Sequence, residues 1–500
     1  MSTPLRPSLA QFRALAERGN LVPVYTELIA DAETPVSAFH KLDEGGYSFL
    51  LESAETSDHV GRFSFVGSSP RIIFQSRGRD IRVVENGESR EFECERDPLE
   101  SLRELMSRFR PALDADTAAL PFAGGAIGYM SYDTVRFFEP SIGEPKTDAL
   151  GLPETFFLVA DTLLIFDHRL RRLRILANAF VDGDPEKAYR EAREKIAGIL
   201  QRLARPAELP ELNIFAEREE VVPASNTRRE DYLRIVDEAK EFIRAGDIFQ
   251  IVPSQRFQAP YAGDALTLYR ALRFVNPSPY MFCIKFAGLD CEPFALVGSS
   301  PEVHVRAVHD RIEIRPIAGT RARGRDAAED EKNAADLKAD PKERAEHLML
   351  VDLARNDVGR IAEFGSVRVT DFMTIEKYSH VMHLVSNVVG ELKPGASVYD
   401  VMRATFPAGT VSGSPKVRAM QLINQFEQTR RGPYAGAVGY FGFDGNLDSC
   451  ITLRTVILKN GIAYVQAGGG VVADSTPEGE FEETVNKAKG MMRAIAMASA

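Results

Sequence analysis

Apolar residues recur along the chain with two different periods, and each period predicts its own kind of element. Alternating or short continuous apolar runs predict strands at residues 156–166, 172–177, 311–317, 435–441 and 462–467. Apolar residues three and four apart predict helices at residues 185–204, 228–245, 341–355, 415–426 and 477–495. Strands and helices do not alternate along the chain, so the pattern favours an α+β fold with antiparallel sheets over a doubly wound one.

The segment at residues 205–226 contains three prolines and a run of charged residues. Such a composition is typical of an exposed connection between two domains. We therefore expect an N-terminal part at residues 1–210 and a C-terminal part at residues 226–500.

Two short sequences occur in both parts, in the same order. Phe-Ser-Phe-Val-Gly-Ser-Ser-Pro at 63–70 matches Phe-Ala-Leu-Val-Gly-Ser-Ser-Pro at 294–301, and residues 125–133 match residues 436–444. Strand and turn sequences can converge, but two matches in one order favour two halves of related build. Arg71 follows the first match where Glu302 follows the second, so we hypothesise that only the C-terminal half kept an acid for chemistry.

Composition narrows the class of protein. The 500 residues include 61 lysines and arginines against 72 aspartates and glutamates, a formal net charge of −11. This balance argues against nucleic-acid binding, which needs a basic face. Four cysteines without a Cys-x-x-Cys pair exclude a disulfide scaffold and a zinc ribbon. The sequence shows no secretory signal and no long apolar run, so we expect a cytoplasmic protein without a membrane segment.

Two predicted helices carry acidic residues whose roles the pattern leaves open. Asp340 can cap the helix at 341–355, and Glu343 stands where a capping-box acid belongs. Glu346 lies on a helix that is apolar nearly all round, so its carboxylate needs a salt bridge or a cation. On the last helix, Glu480, Glu483 and Lys487 form a stripe that is typical of a solvated face.

Several loops and single residues are candidates for binding an anion. Gly468, Gly469 and Gly470 follow a predicted strand and form either a tight turn or an anion-binding backbone. A Gly/Ser/Thr-rich loop at 406–416 precedes a helix whose predicted cap is Ser414, but it lacks the spacing of a P-loop. Arg454 falls in an apolar run and requires an anionic partner. His383 alone is more often structural than catalytic.

Taken together, these sequences resemble the chorismate-utilising enzymes, and among them the large subunits of anthranilate synthases. The resemblance rests on Leu-Leu-Glu-Ser at 50–53, Gly-Asp-Ile-Phe-Gln at 246–250, Val-Gly-Ser-Ser-Pro-Glu at 297–302, Arg-Pro-Ile-Ala-Gly-Thr at 315–320, Glu-His-Leu-Met-Leu-Val-Asp-Leu-Ala-Arg-Asn-Asp at 346–357, Gly-Thr at 409–410, Arg-Gly-Pro-Tyr at 431–434 and Gln-Ala-Gly-Gly-Gly at 466–470. It implies a two-part chorismate-binding fold with large, mostly antiparallel sheets flanked by helices. It also implies a lyase that converts chorismate and ammonia to anthranilate and pyruvate, the first committed step of tryptophan biosynthesis.

The resemblance also implies roles for particular residues. The implied metal ligands for Mg²⁺ are Glu346 and Glu483, with Glu480 and Glu343 nearby. The implied substrate contacts are Gly319, Thr320, Tyr434, Arg454, Gly468, Gly469, Gly470 and Lys487. The implied catalytic positions are Glu302, as the acid near the leaving hydroxyl, with His383, Thr410 and Gln250.

Two positions discriminate among products within the family. Relatives that make aminodeoxychorismate carry a nucleophilic lysine where this chain has Ala318, and water-using relatives carry a lysine base where it has Gln250. Both differences favour anthranilate. The alternatives are a sister enzyme that makes aminodeoxychorismate, aminodeoxyisochorismate or isochorismate, and a non-catalytic amino-acid-sensing subunit.

The resemblance finally implies partners and regulation. No cysteine lies in a nucleophile-like turn, so we expect ammonia from a separate glutamine amidotransferase subunit in a hetero-oligomer, such as a heterotetramer. Tryptophan is the implied feedback ligand, and its implied site combines Ser53 with Pro279, Tyr280 and Met281. The alternative for these four residues is a strand end packed on a proline-rich loop.

Overall fold

A computed structural model of the chain describes residues 4–53, 61–215, 221–377 and 381–499. Within these ranges the chain forms two large antiparallel sheets, of eleven and twelve strands, with helices on their outer sides. This architecture confirms the α+β fold that the sequence predicts.

The strands are β1 (Leu21–Ile29), β2 (Ser48–Glu52), β3 (Phe63–Ser68), β4 (Ile72–Arg77), β5 (Asp80–Glu85), β6 (Glu88–Glu93), β7 (Gly125–Met130), β8 (Thr155–Ala160), β9 (Thr162–Asp167), β10 (Arg172–Phe180), β11 (Ala224–Ser225), β12 (Gln250–Ile251), β13 (Ser254–Pro260), β14 (Tyr280–Phe286), β15 (Phe294–Ser300), β16 (Val303–Val308), β17 (Arg311–Ile314), β18 (Ile317–Ala322), β19 (Arg368–Lys377), β20 (Val381–Glu391), β21 (Gly413–Ser414), β22 (Ala437–Gly442), β23 (Leu447–Ile451), β24 (Thr455–Lys459) and β25 (Ile462–Gly468).

The α-helices are α1 (Leu9–Ala16), α2 (Pro35–Leu42), α3 (Pro98–Met106), α4 (Ala115–Ala118), α5 (Pro185–Leu203), α6 (Arg229–Arg244), α7 (Ala265–Val275), α8 (Ala327–Ala339), α9 (Pro341–Gly359), α10 (Val398–Thr405), α11 (Lys416–Phe426) and α12 (Pro477–Ala498). Short 3₁₀ turns lie at Tyr132–Phe137, Pro140–Ile142 and Gly409–Val411.

Both sheets cross the boundary that the sequence predicts between the two parts. Sheet A has the order β1-β10-β9-β3-β2-β14-β15-β24-β25-β13-β11. Sheet B has the order β18-β20-β17-β16-β23-β22-β7-β8-β4-β5-β6, with β19 paired to β20. The two parts meet where β2 pairs with β14 and where β7 pairs with β22. The division at residues 1–210 and 226–500 stays a prediction, and residues 216–220 of the connecting segment lie outside the described ranges.

The core forms between the sheets and beneath the helices. The inner faces of the sheets share an aromatic cluster that includes Phe49, Phe65, Tyr129, Phe156 and Phe286. Helices α2, α5, α7 and α12 pack on the outer face of sheet A, and α3, α9, α10 and α11 pack on the outer face of sheet B. Each fully buried large apolar side chain contributes about 1.5–3 kcal/mol, so this helix–sheet–sheet–helix arrangement holds the site's elements firmly.

The repeated sequences fall on corresponding strands. The first repeat forms β3 and β15, which lie next to β2 and β14 on either side of the junction in sheet A. The second forms β7 and β22, which pair with each other in sheet B. The strand order therefore supports two halves of related build.

Three local predictions are wrong for physical reasons. The run at 156–166 is two strands in different sheets, because the buried Asp161 interrupts it and binds Lys195 at 2.7 Å. The run at 311–317 breaks after Ile314. Ser414 belongs to β21, and Pro415 takes the N-cap position of α11 without a side-chain hydrogen bond.

All five predicted helices are confirmed, as α5, α6, α9, α11 and α12, and two of them have the expected side-chain cap. Asp340 accepts hydrogen bonds from the backbone N–H groups of Lys342 and Glu343 at the start of α9. Thr476 accepts one from Gly479 at the start of α12. These caps satisfy otherwise unpaired donors. No helix in the described part of the chain is long and apolar enough to cross a membrane.

Candidate active site

A cavity of about 320 Å³ brings together residues that lie far apart in the sequence. Its lining includes the predicted site residues Gln250, Glu346, Thr410, Tyr434, Arg454, Gly468, Gly470, Glu480, Glu483 and Lys487. A larger cavity, of about 880 Å³, lies beside Glu52 and Arg273 and contains none of the predicted catalytic residues. The smaller cavity is therefore the candidate active site, because the predicted acidic, basic and substrate-binding side chains line it.

Glu302 is the buried acid of the site. It lies between β15 and β16, and its Oε1 accepts a hydrogen bond from the Thr410 hydroxyl at 2.7 Å. Burial raises the pKa of Glu302 to about 8, although the Thr410 hydroxyl, the Ile317 amide and the charge of Lys487 oppose the rise. Because this value exceeds neutral pH, Glu302 carries a proton that it can donate. Pro301 and Thr410, its neighbours, line the cavity.

Three carboxylates from two helices face the same cavity. Glu346 comes from α9, and Glu480 and Glu483 come from α12. Burial raises the pKa of Glu346, the charges of Glu343 and Glu483 add to the rise, and a hydrogen bond with Gln250 opposes it. Burial and the charge of Glu483 likewise raise the pKa of Glu480. Like charges that repel one another in this way favour a cation among them.

The remaining bonds of these carboxylates are uneven. Glu480 Oε1 accepts a hydrogen bond from the Ser475 hydroxyl at 2.6 Å, whereas Glu480 Oε2 is buried without a hydrogen-bond partner among the described residues. Glu483 pairs with Lys487 at 2.7 Å. Glu343 is not part of the cavity lining, and it pairs with Arg321 at 2.9 Å instead of closing a capping box.

Two cations, Arg454 and Lys487, line the same cavity. Arg454 lies in the connection between β23 and β24, where it adopts a left-handed backbone with φ of 46°. The apolar run that contains Arg454 is therefore interrupted between the two strands, and Arg454 is part of the cavity lining. Lys487 on α12 donates to the Gly468 carbonyl at 2.9 Å. Both positive charges are suitably placed for an anionic ligand.

The three glycines after β25 differ in what they can donate. A Cβ on Gly468 would lie 2.8 Å from the Pro253 carbonyl and the Tyr434 hydroxyl, so only glycine fits there. The Gly469 amide already donates to the Pro253 carbonyl at 3.2 Å. The predicted role of all three amides in anion binding is thus restricted, because the Gly469 amide is engaged inside the protein.

Three predicted site residues, Gly319, Thr320 and His383, are not part of the cavity lining and form a group of their own. Thr320 on β18 pairs with His383 on β20, and Gly319, with φ of 66°, forms a bulge in β18 between Ala318 and Thr320. His383 Nδ1 lies 2.9 Å from the Gly319 carbonyl, so this nitrogen carries the proton. Burial and the charge of Arg454 lower the pKa of His383. The ring is therefore neutral near pH 7, and its Nε2 can accept a proton.

Sequence reasoning assigned no role to Arg431, which contacts three residues of the cavity lining. Arg431, with 1% of its surface exposed, donates to the carbonyls of Val411 and Val252 at 2.8 and 2.6 Å and to Glu427. Its guanidinium also lies 5.5 Å from the centre of the Tyr434 ring. Glu427 and Arg431 both lie after the end of α11, so their spacing of four was not a helical signal, and the ion pair arises from the tertiary fold.

The predicted regulatory residues lie apart from the cavity. In the pairing of β2 with β14, Met281 is opposite Glu52, so Ser53 and Tyr280 are close together at the ends of these strands. The Tyr280 hydroxyl donates to Asp448 at 2.9 Å. Glu52 accepts hydrogen bonds from Tyr269 and Arg273 at 2.7 and 2.8 Å. The group therefore joins the two parts of the chain.

Comparison with known proteins gives relatives along nearly the whole chain. A protein called anthranilate synthase component 1 from Acetivibrio thermocellus is 44% identical over 495 residues, which is 98% of each chain. Its counterpart from Aquifex aeolicus is 46% identical over 497 residues, covering 99% of this chain and 98% of the relative.

Solved structures resemble the fold in the same way. Anthranilate synthase component I from Streptococcus pneumoniae has a TM-score of 0.74 and 36% identity, covering 93% of this chain and 98% of that one. The menaquinone-specific isochorismate synthase from Escherichia coli has a TM-score of 0.70 at 19% identity, covering 98% of this chain and 99% of that one, and shows only the common fold. The family model described as chorismate binding enzyme matches residues 48–493. The chain therefore belongs to the chorismate binding enzymes.

Proposed function

We propose that this chain catalyses the anthranilate synthase reaction, in which chorismate and ammonia give anthranilate and pyruvate. The observation that carries the proposal is the 44–46% identity, over the full chain, to proteins called anthranilate synthase component 1. Ala318 and Gln250, at the two positions that discriminate among products, support the same reaction. Cytoplasmic location is part of the proposal.

Substrate recognition in this proposal uses the cations of the cavity. Chorismate carries two carboxylates, and Arg454 would hold the enolpyruvyl carboxylate through charge-assisted hydrogen bonds. Lys487 and the amides of Gly468 and Gly470 would complete this contact, while Tyr434 forms a wall. Gly319 and Thr320, beside His383, would contact the ring from the other side.

Proton transfer in this proposal starts at Glu302. Its raised pKa, about 8, keeps it protonated at neutral pH, so it can donate to the departing C4 hydroxyl. Thr410 orients the carboxyl through its 2.7 Å hydrogen bond. His383 Nε2, which can accept a proton, would assist aromatisation and loss of pyruvate. Gln250, a neutral amide, suits ammonia rather than an activated water.

Mg²⁺ is the proposed cofactor, and the residues present fit it. Glu346, Glu480 and Glu483 face one cavity, and Glu480 Oε2 is a buried oxygen without a hydrogen bond to any described residue. Oxygen ligands of this kind suit Mg²⁺. No group of three or more metal-ligating side chains is already assembled in the described ranges. When bound, Mg²⁺ would neutralise these acids and the substrate's ring carboxylate. Glu343 stays a prediction as a nearby acid.

Ammonia in this proposal comes from a separate glutamine amidotransferase subunit. A glutaminase needs an activated cysteine, whereas burial raises the pKa of all four thiols, Cys94, Cys283, Cys291 and Cys450. The relatives' name, component 1, supports a partner component. A hetero-oligomer, such as a heterotetramer, is therefore part of the proposal.

Feedback by tryptophan is proposed at Ser53, Pro279, Tyr280 and Met281. The proximity of these residues at the β2–β14 junction supports one shared site. Because the chain contains no tryptophan, the fluorescence of added tryptophan reports binding without protein background. Retained inhibition in Ser53→Phe would contradict this assignment.

The proposed reaction is tested with the isolated chain, chorismate, ammonium and Mg²⁺. We expect anthranilate fluorescence and release of pyruvate in equal amounts. Mass analysis separates the alternatives: aminodeoxychorismate, aminodeoxyisochorismate or isochorismate would appear without pyruvate. No product under any of these conditions would favour a non-catalytic amino-acid-sensing subunit.

A further inference from the structure

The two halves of the chain correspond strand by strand around their junctions. Outward from β2 in sheet A the order is β3, β9, β10 and β1, and outward from β14 it is β15, β24, β25 and β13. In sheet B, β8, β4, β5 and β6 follow β7, while β23, β16, β17 and β20 follow β22. Helix α5 follows β10 as α12 follows β25. Each part of the catalytic half therefore has a counterpart position in the N-terminal half.

A second cavity, of about 330 Å³, lies at the counterpart of the candidate active site. Pro70 and Arg71 follow β3 as Pro301 and Glu302 follow β15. Asp161 joins β8 to β9 across the two sheets, as the segment with Arg454 joins β23 to β24. Lys195 stands the same number of residues after the leading proline of α5 as Lys487 does in α12. We call this second hollow the N-terminal cavity.

The charges of the N-terminal cavity leave Arg71 short of strong partners. Arg71 Nε is buried and has no hydrogen bond to a described residue. Its ion pairs with Glu85 and Asp161 are long, at 3.7 and 4.0 Å. Both carboxylates are better engaged elsewhere, since Glu85 binds Arg108 at 2.9 Å and Asp161 binds Lys195 at 2.7 Å.

The position of the Arg71 guanidinium is fixed on one side by an aromatic ring. It lies 4.8 Å from the centre of the Phe180 ring. A planar guanidinium held in this way presents its N–H groups in a fork that matches a carboxylate. Asp161 and Glu85 nearby would repel a more highly charged ligand such as a phosphate.

The N-terminal cavity lacks the groups needed for the proposed lyase chemistry. Arg71 occupies the counterpart of the acid Glu302. The counterpart of Glu346 is missing, because β5 connects to β6 directly where the catalytic half inserts β18, α8, α9 and β19 between β17 and β20. A role in binding remains.

We propose that the N-terminal cavity binds a small organic carboxylate, with Arg71 as its anchor. The volume matches that of the catalytic cavity, and a cavity of this size suits a small molecule. The ligand's carboxylate pairs with the Arg71 fork, and Lys195 adds a second positive charge at the rim. Nothing in this site depends on the proposed lyase activity.

Benzoate is a suitable probe, and isothermal titration calorimetry on the full chain measures its binding. The Arg454→Met background weakens carboxylate binding in the catalytic cavity, so that the remaining isotherm reports the N-terminal cavity. In this background we expect binding that Arg71→Met weakens at least about tenfold. The matched control is Arg90→Met, on the exposed strand β6, which should bind like its parent.

A more conservative variant separates loss of the site from loss of the fold. Arg71→Lys keeps the charge without the fork, so we expect weaker binding than in the parent and stronger binding than in Arg71→Met. Circular dichroism of each variant checks the fold. Absence of benzoate binding in Arg454→Met would overturn the proposal. Binding equal to that of the Arg454→Met parent in both Arg71 variants would also overturn it. Anthranilate formation by the unmodified chain is measured separately, so failure of either idea is recognisable.

Discussion

The two halves of this molecule contain cavities of similar size that are lined by different side chains. Their cavities measure about 320 and 330 Å³ and lie at corresponding places in the strand order. In the C-terminal half a buried carboxyl, Glu302, lies beside the hollow, whereas in the N-terminal half Arg71 stands at this position. The difference teaches that the strand framework supplies a cavity in each half, and that a few side chains set whether an acid or a guanidinium lies beside it.

An insertion adds the rest of the difference. In the N-terminal half, Asn86 and Gly87 connect β5 to β6 in a two-residue turn with φ of 53° and 82°. In the C-terminal half, β17 and β20 are separated by β18, α8, α9 and β19. Glu346 and Thr320 both come from this insertion. The connection that is a two-residue turn in the N-terminal half therefore carries Glu346 and the His383 partner Thr320 in the C-terminal half.

The largest effect on activity is expected when Glu302, the acid that only the C-terminal half has at this position, is removed. Glu302→Gln leaves no proton to donate to the leaving hydroxyl, so we expect kcat to fall about 10²- to 10⁴-fold. Anthranilate fluorescence at saturating chorismate, ammonium and Mg²⁺ measures this. Glu292→Gln, an exposed carboxyl just before the same strand, is the matched control. A loss of less than about threefold would exclude Glu302 as the acid.

Removal of metal tests whether the acids of α9 and α12 act through a cation. We expect EDTA to reduce anthranilate formation at least about 10²-fold, because repulsion among Glu346, Glu480 and Glu483 would then oppose an anionic substrate. EDTA saturated beforehand with Mg²⁺ controls for other effects of the chelator. Full activity in EDTA alone would refute the Mg²⁺ proposal.

The pH profile sharpens the assignment of Glu302. A carboxyl with a pKa of about 8 is protonated below that pH and ionised above it. The activity, kcat/KM, should therefore be level near pH 7 and fall as pH rises through about 8, tenfold for each further unit. The limb should be absent from the residual activity of Glu302→Gln. A profile that stays level to pH 9.5 would contradict the assignment.

The smallest effect is expected at Thr410. Its hydroxyl stabilises the ionised form of Glu302, so Thr410→Val should raise the pKa of Glu302 and move the descending limb up by about one pH unit or less. The profile of kcat/KM measures the shift. Thr374→Val, which removes a hydroxyl bond to the Val385 carbonyl outside the cavity, should leave the limb in place. A shift to lower pH would disprove the role.

Local signals in the sequence predicted five of the helices, α5, α6, α9, α11 and α12, but did not reveal others such as α7 and α10. Thr476, Pro477 and the apolar stripe that follows are sufficient for α12, because caps and periodicity act over a few residues. The run at 156–166 looked like one strand, since periodicity does not show that Asp161 carries the chain from one sheet to the other. The order of the sheets rests on pairings between distant residues, which no local pattern contains.

The sequence predicted which residues belong to the candidate site, but not their pKa values or their hydrogen bonds. The resemblance named Glu302, Glu346 and Arg454, and the structure places all three around the cavity or beside it. The raised pKa of Glu302 arises from burial by segments far away in the chain. Likewise, the internal bond of the Gly469 amide depends on the neighbouring Pro253, which the glycine run does not reveal.

The shared sheets have a consequence for how the chain could be divided. Hydrogen bonds between β2 and β14 and between β7 and β22 join the two parts independently of the connecting segment. They should hold the parts together after that segment is cut. A protease that nicks residues 205–215 should therefore leave a single particle in gel filtration. Separately produced pieces would be candidates for fragment complementation, since each offers the other an open strand edge rather than a finished surface.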